Sequence, residues 1–524
     1  MSHRPFLLAA FVLVGAAGAQ EGVLTLQAQA ERALAEGRFA AAAEAYLALA
    51  RAEPDRVAWS LGAAEALARD GRFQDALEHL DGALQRTPGH VGLRVLLAKV
   101  NMLHAEELGR GGRRDAHVLF AYQEAAQVAR AVVDEHPDER DARLILAEAE
   151  FALGNLDAAL GEAQAAAERF PHHPGGHIVV AKVWFHRFVA ARQRLAGEQP
   201  KGKELEQLAN EAAAARKATI AAVEAAITAD PERAFPHKLL GDVHAWNDNP
   251  GQALVCYAKA LAIDPNAPVN HDWIGSAARQ PKALIHFYQG ALDAYRARPD
   301  HDERRAATLV WYLGRALFQD KQFAPARDRM RAAYAANPEY ANSLHYVWLA
   351  SYWLGDHDAA EREAAAYARV SAPAFADLLR SLPDRAQTVP ILAFLAARAY
   401  QGSRIEASAA LNHVLALVED SAEAWNNYAF LCREAGRPQE SLTAYEHALA
   451  LEPDSPQLLN DTAVILHYHL PSPENLARAR TMYERAVALA QQQLAGGKLE
   501  GADRTRTEQA LRDAQANLAK LGGQ

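Results

Sequence analysis

The sequence predicts an all-α fold, a superhelical solenoid of helical hairpins stacked side by side. Three observations predict it. Prolines recur 34 residues apart, from Pro54 to Pro88, Pro137 to Pro171, Pro231 to Pro265 and Pro265 to Pro299. Half of the residues are apolar, with alanine prominent, which favours close-packed helices over sheet. Glycines at 37, 71, 154, 355, 402 and 436 fall about midway between the repeat ends, where a left-handed residue lets one helix stop and the next begin. Thirty-four residues hold a helix, a turn, a second helix and a terminating proline. Units of that size bury their apolar faces only against neighbours, so the 524 residues read as one array rather than as several closed domains.

Taken in chain order, the first element is a leader. Met1 to Ala19 has one arginine, Arg4, an apolar run from Phe6 to Val14 and small residues ending at Ala17-Gly18-Ala19. This is the pattern of a cleaved secretory signal peptide over residues 1–19, and the stretch is too short to cross a bilayer. An uncut N-terminal anchor is the alternative. No cysteine follows Ala19, so lipid anchoring is not expected.

Repeats then occupy 24–372 and 390–494, about twelve in all. Two are over-long. Pro88 to Pro137 is 49 residues and Pro171 to Pro231 is 60, so insertions of 15 and 26 residues are expected near 104–118 and 190–215, at the turns Gly109 to Arg114 and Ala196 to Lys203. Residues 373–389 fit no repeat and are expected to form an irregular connection between two halves. The tail, 503–521, has the pattern of an amphipathic capping helix over the last apolar face.

Residues other than proline sharpen the pattern. Ala424 to Pro453 contains Trp425, Tyr428, Ala429, Cys432, Gly436, Ser441, Tyr445, Ala448 and Pro453. Leu240, Gly241, His244, Ala253, Tyr257, Ala260 and Pro265 repeat the order, as do Ala63, Ala64, Leu67, Gly71, Ala76, Leu80, Ala83 and Pro88. This large and small alternation resembles the tetratricopeptide repeat (TPR), in an exported bacterial form, over nearly all of the chain after the leader. Small residues let the two helices approach, and aromatic or leucine side chains fill the space beside the contact.

Chemistry-bearing motifs are sparse. There is no phosphate loop, zinc helix, nucleophile elbow or dinucleotide fingerprint, so no catalytic residue and no cofactor is assigned. His172, His173 and His177, and His467 with His469, lack an adjacent thiolate or carboxylate set and read as helix-end histidines rather than metal ligands. Asn460-Asp461-Thr462 matches a glycosylation sequon inside a helix and is set aside. Cys256 and Cys432 sit inside repeats as small apolar residues. Net charge is −10 without a basic stripe, and the cluster Arg110, Arg113, Arg114 reads as a solvated loop, so nucleic acid is not expected as a partner.

The resemblance implies a binding surface on the first helix of each repeat, just before and after its large-small pair. That register selects Trp273, Tyr312 and either Tyr346 or Trp348 in three consecutive repeats, and Asn427 in the best one. Lys238, Asp242, Trp311, Arg315, Asn426 and Asp461 fall on or near the same face. Exposed there, aromatic rings give rigid contact area, and asparagines pair with an extended peptide; packed against the next repeat, the same rings are core. A complete asparagine ladder and the family's carboxylate clamp are both missing. The expectation is a non-catalytic scaffold holding protein or peptide partners outside the cytoplasm. Its oligomeric state is open, and no membrane span is expected after the leader. Two rivals are an accessory subunit of an envelope enzyme or polysaccharide-export complex, and an enzyme with a site in the inserted helices around Phe185 to Thr219.

Overall fold

Each stretch between the recurrent prolines folds as two antiparallel helices. The computed structural model describes residues 23–522, positions 199 and 498 excepted, so the expected leader lies outside the described residues. The described residues form α-helices joined by short turns, with one π-helical and one 3₁₀ segment and no strand.

The chain divides at Ile263/Asp264 into two compact units. In the first, 23–35 pairs with Phe39–Ala52, Val57–Arg69 with Phe73–Arg86, and Val91–Leu108 with Ala116–Glu135. Arg140–Leu153 then pairs with Leu156–Arg169, Pro174–Gly197 with Lys203–Ala229, and Ala234–Trp246 with Pro250–Ile263. The second unit pairs His271–Ala278 with Pro281–Arg296, Glu303–Gln319 with Phe323–Ala336, and Ser343–Trp353 with His357–Ser381. Arg385–Gln401 and Ile405–Glu419, then Ala422–Glu434 and Pro438–Leu451, continue the series before Pro456–Val464, Pro473–Ala495 and the terminal helix Gly501–Gly522.

Small residues set the helix spacing. A Cβ added at Gly241 would lie 2.6 Å from the Tyr257 ring of the paired helix, and one at Gly176 would lie 2.6 Å from the Ala167 backbone nitrogen. Ser408 and Ser441 make the same cross-helix tie in successive hairpins, each donating its buried hydroxyl to a carbonyl of the preceding helix, Ala396 at 3.0 Å and Ala429 at 2.7 Å. Both cysteines are buried free thiols.

The over-long hairpins are long helices rather than long loops. Among the described residues their helices are interrupted at 109–115 in the first and at 198 and 200–202 in the second, where Phe188, Ala191, Ala212 and Ala215 extend the hairpin core. The stretch 373–389, expected to be irregular, is helical on both sides of a turn at 382–384. At Ser371 the backbone leaves the helical region (φ −164°, ψ 99°), and the Ser371 hydroxyl accepts from Ala374 N at 3.2 Å, so Ser-Ala-Pro starts a new helical turn. Gly402 also departs from expectation. It has φ −85°, and the left-handed residue of that turn is its neighbour Ser403 at φ 56°.

The terminal helix covers the last hairpin with Ala510, Ala514 and Leu521. Asn517 locks it down, donating to Asn460 Oδ1 at 3.1 Å and accepting from the Tyr468 hydroxyl at 3.2 Å.

Candidate functional site

A recurring device marks the first helix of several repeats. Six residues after the repeat-ending proline, a side chain reaches back to that proline's carbonyl: Arg143 to Pro137 at 3.2 Å, His177 to Pro171 at 3.2 Å and His237 to Pro231 at 3.3 Å. His271 occupies the same position after Pro265 and does something else. Its Nδ1 shares a hydrogen bond of 2.9 Å with the Tyr288 hydroxyl, and its ring stacks on Tyr312 with centroids 3.6 Å apart. Burial, with Arg315 adding to it, pushes the His271 pKa down to about 4, so the imidazole is neutral at neutral pH.

His271 and Tyr312 form the wall between two concavities of the second unit. The first, about 380 Å³, is lined by residues of 265–271 with Thr308, Trp311, Tyr340 and Asn342. The second, about 440 Å³, runs over Asp272, Arg279, Tyr288 and Arg315. Arg315 and Gln319 also border a third of about 620 Å³, walled by Phe318, Phe323, Tyr346 and Trp353. Together they make a row along the first helices of three successive hairpins.

Two residues lining the first concavity, Trp311 and Asn342, each carry a polar atom that no protein group satisfies. Trp311 Nε1 and Asn342 Oδ1 are both buried without a hydrogen-bond partner. Asn342 precedes its helix as Asn270 does, yet Asn270 caps by accepting from Trp273 N at 2.9 Å and Asn342 makes no such bond, because its backbone is already helical (φ −63°, ψ −16°). Thr308 is fully engaged beside them, donating to Asn266 Oδ1 at 2.5 Å and accepting from the Tyr340 hydroxyl at 2.6 Å.

Of the residues chosen from sequence, Trp311, Tyr312, Arg315 and Tyr346 line this row. Trp348 does not. It is fully buried against His345 and Phe375, so of the pair Tyr346 and Trp348 only Tyr346 reaches a concavity. Trp273 is half-buried and lines none of the three, a position taken by His271 and Asp272. Lys238 and Asp242 belong to the first unit and satisfy each other at 2.6 Å, with Tyr257 donating to Asp242 at 2.8 Å. Asp461 accepts from Asn460 Nδ2 at 3.1 Å inside the last hairpin, where burial raises its pKa. Asn426 and Asn427 border a separate concavity of about 660 Å³, Asn426 with a buried, unpartnered Oδ1 and Asn427 exposed.

Sequence reasoning missed His271, Asn342 and His345. The first had a signal, its position six residues after Pro265. The other two had none, since their role lies in hydrogen bonds they do not make. Among the described residues no group of three or more His, Cys, Asp or Glu is placed to hold a metal ion. No helix among them is long and apolar enough to cross a membrane.

With this geometry in hand, family models described as tetratricopeptide repeat match residues 28–91, 120–183 and 422–455. The chain contains tetratricopeptide repeats. These TPR matches fall in both units. No curated protein matches the sequence. Similar solved structures include a TPR protein of Thermus thermophilus, 15% identical over 48% of this chain and 98% of that one, with a TM-score of 0.26. A TPR protein of Parabacteroides merdae is 12% identical over 63% and 99%, at 0.34. IFIT1, solved with Gppp-AAAA, is 14% identical over 79% and 68%, at 0.36.

Proposed function

We propose that this TPR protein is a non-catalytic scaffold that holds an extended protein segment along the first helices of its second unit. TPR proteins as a class mediate protein–protein interaction. The observation that carries the reading is the unpartnered pair Trp311 Nε1 and Asn342 Oδ1 in one concavity. One donor and one acceptor on two residues of the same lining match what a peptide unit offers, a carbonyl and an N–H. Each unmet buried group costs about 1–3 kcal/mol, which a bound backbone offsets. The aromatic walls supply contact area at low side-chain entropy. A protein segment is favoured over nucleic acid because the net charge is −10 and no basic stripe follows the row. Export, on the strength of the leader at 1–19, places the partner outside the cytoplasm; N-terminal sequencing of the mature protein should then begin at Gln20.

The test is selection of peptides from a display library, then titration of the best binder by fluorescence anisotropy. Trp311→Phe keeps an aromatic ring, smaller than the indole, and removes the donor, and Asn342→Ala removes the acceptor. Each should weaken binding about tenfold, which corresponds to about 1.4 kcal/mol, with helicity and melting retained. Binding unchanged in both variants would overturn the assignment of this surface.

A further inference from the structure

The class of segment follows from Arg315. It lies partly buried on helix Glu303–Gln319, with its guanidinium 5.9 Å over the Trp311 ring. No acidic side chain pairs with it among the described residues. Arg94 and Arg398, partly buried, and Arg143, buried, each hold a carboxylate: Glu135 at 2.5 Å, Asp358 at 2.6 Å with Glu361 at 2.9 Å, and Glu162 at 2.6 Å. Arg216 and Arg327, partly buried without one, donate instead to Asn247 Oδ1 at 2.5 Å and Ser351 Oγ at 3.2 Å. Asp272 and Asp384 line the concavities on the two sides of Arg315 without forming an ion pair with it, and with Arg279 and Lys321 also in the lining the row stays net positive, which favours an anionic ligand group. Arg279, across the second concavity, likewise has no ion pair among the described residues.

The concavity on the other side of Arg315 has a different character. Phe318, Phe323, Tyr346 and Trp353 wall it, with Phe323 stacked on Trp353 at 6.1 Å and Trp353 48% exposed. His345 is also in its lining, 2% exposed, with Nδ1 buried and lacking any hydrogen-bond partner. Four rings around a space of about 620 Å³ suit an aromatic side chain. A neutral imidazole nitrogen can accept or donate according to tautomer, and a phenol hydroxyl serves either case.

We propose that the bound segment carries an acidic residue next to a tyrosine, its Asp or Glu carboxylate on Arg315 and its ring in the cavity that His345 lines. The carboxylate is that of a side chain within the segment, because concavities continue on both sides of Arg315 and a chain terminus there would leave one of them empty. This inference rests on the peptide reading above.

The experiment uses the full chain and four N-acetylated, C-amidated octapeptide libraries, randomised except for a fixed central pair: Glu-Tyr, Gln-Tyr, Glu-Phe and Glu-Ala. A fifth library ends at Glu with a free carboxylate. Glu-Tyr peptides should bind at least tenfold tighter than Gln-Tyr or Glu-Ala ones and several-fold tighter than Glu-Phe. Arg315→Gln should abolish the preference for Glu over Gln while circular dichroism stays unchanged, and His345→Phe should abolish the preference for Tyr over Phe. Enrichment that ignores the Glu or the Tyr overturns this inference and leaves the peptide reading standing. Tighter binding of the free-terminus library overturns the internal placement. No binding in any library overturns both.

Discussion

At the scale of single residues, the hairpin turns show how much depends on one backbone angle. Gly71, Gly154, Gly355 and Gly436 take φ between 72° and 87°, as the turn requires. Lys321 and Ser403 are held at φ 61° and φ 56° in the equivalent turns. A side chain there costs about 1 kcal/mol against glycine. Lys321→Gly should therefore stabilise the second unit by up to about 1 kcal/mol, and Gly71→Ala should destabilise the first by a similar amount, both read from urea midpoints. The buried histidine sets a pH dependence of its own. Burial pushes the His345 pKa down to about 4, whereas an unfolded chain protonates near 6.5. Between those values the unfolded state binds a proton that the folded state refuses, so this residue's contribution is full above pH ~6.5 and is lost towards pH 4 at about 1.4 kcal/mol per pH unit, with His271, held equally low, adding a like slope. Urea melts at pH 7.5, 6 and 5 should show that fall, and His345→Phe should make the slope shallower.

Among the helices, ion pairs complement the apolar contacts where hairpins meet. Glu361, 1% exposed on helix His357–Ser381, is gripped by Arg398 at 2.9 Å and by both Arg404 nitrogens facing it, one at 2.7 Å. Burial alone would raise its pKa, but the two guanidiniums outweigh burial and hold the carboxylate below its usual range. Removing one member of such a set strands the rest. Glu361→Ala should cost roughly 3 kcal/mol, the low end for a broken buried pair because both arginines reach solvent. Glu361→Gln, which keeps the shape, should cost less, and a thermal melt monitored by circular dichroism separates the two. The same physics explains why Ser371 and Pro373 start a helical turn where a break was expected: a cap satisfies the orphan amides and proline needs none.

For the molecule as a whole, contacts run between neighbouring hairpins within each unit, so damage should stay local. Gly241→Val would drive a side chain into the Tyr257 ring, now 2.6 Å from where the new Cβ would sit. The overpacking should cost about 1–3 kcal/mol. Hydrogen exchange should show lost protection in Lys203–Ile263 and none in Ile405–Leu451. Protection lost equally across both would mean that the chain folds as one cooperative body.

The amino-acid order by itself determined the helical hairpins, because their signals are local: a proline every 34 residues, small residues where backbones touch, glycine at the turns. It also put Trp311, Tyr312 and Arg315 together on helix Glu303–Gln319, since helical spacing fixes which residues are neighbours. Only the tertiary structure decided which aromatic residues are wall and which are core. Tyr346 and Trp348 are two positions apart, and whether each meets a cavity or Phe375 depends on the next hairpin. The division at Ile263/Asp264 and the unmet Trp311 Nε1 and Asn342 Oδ1 are likewise non-local. A missing partner is a property of everything packed around an atom, and no stretch of sequence records it.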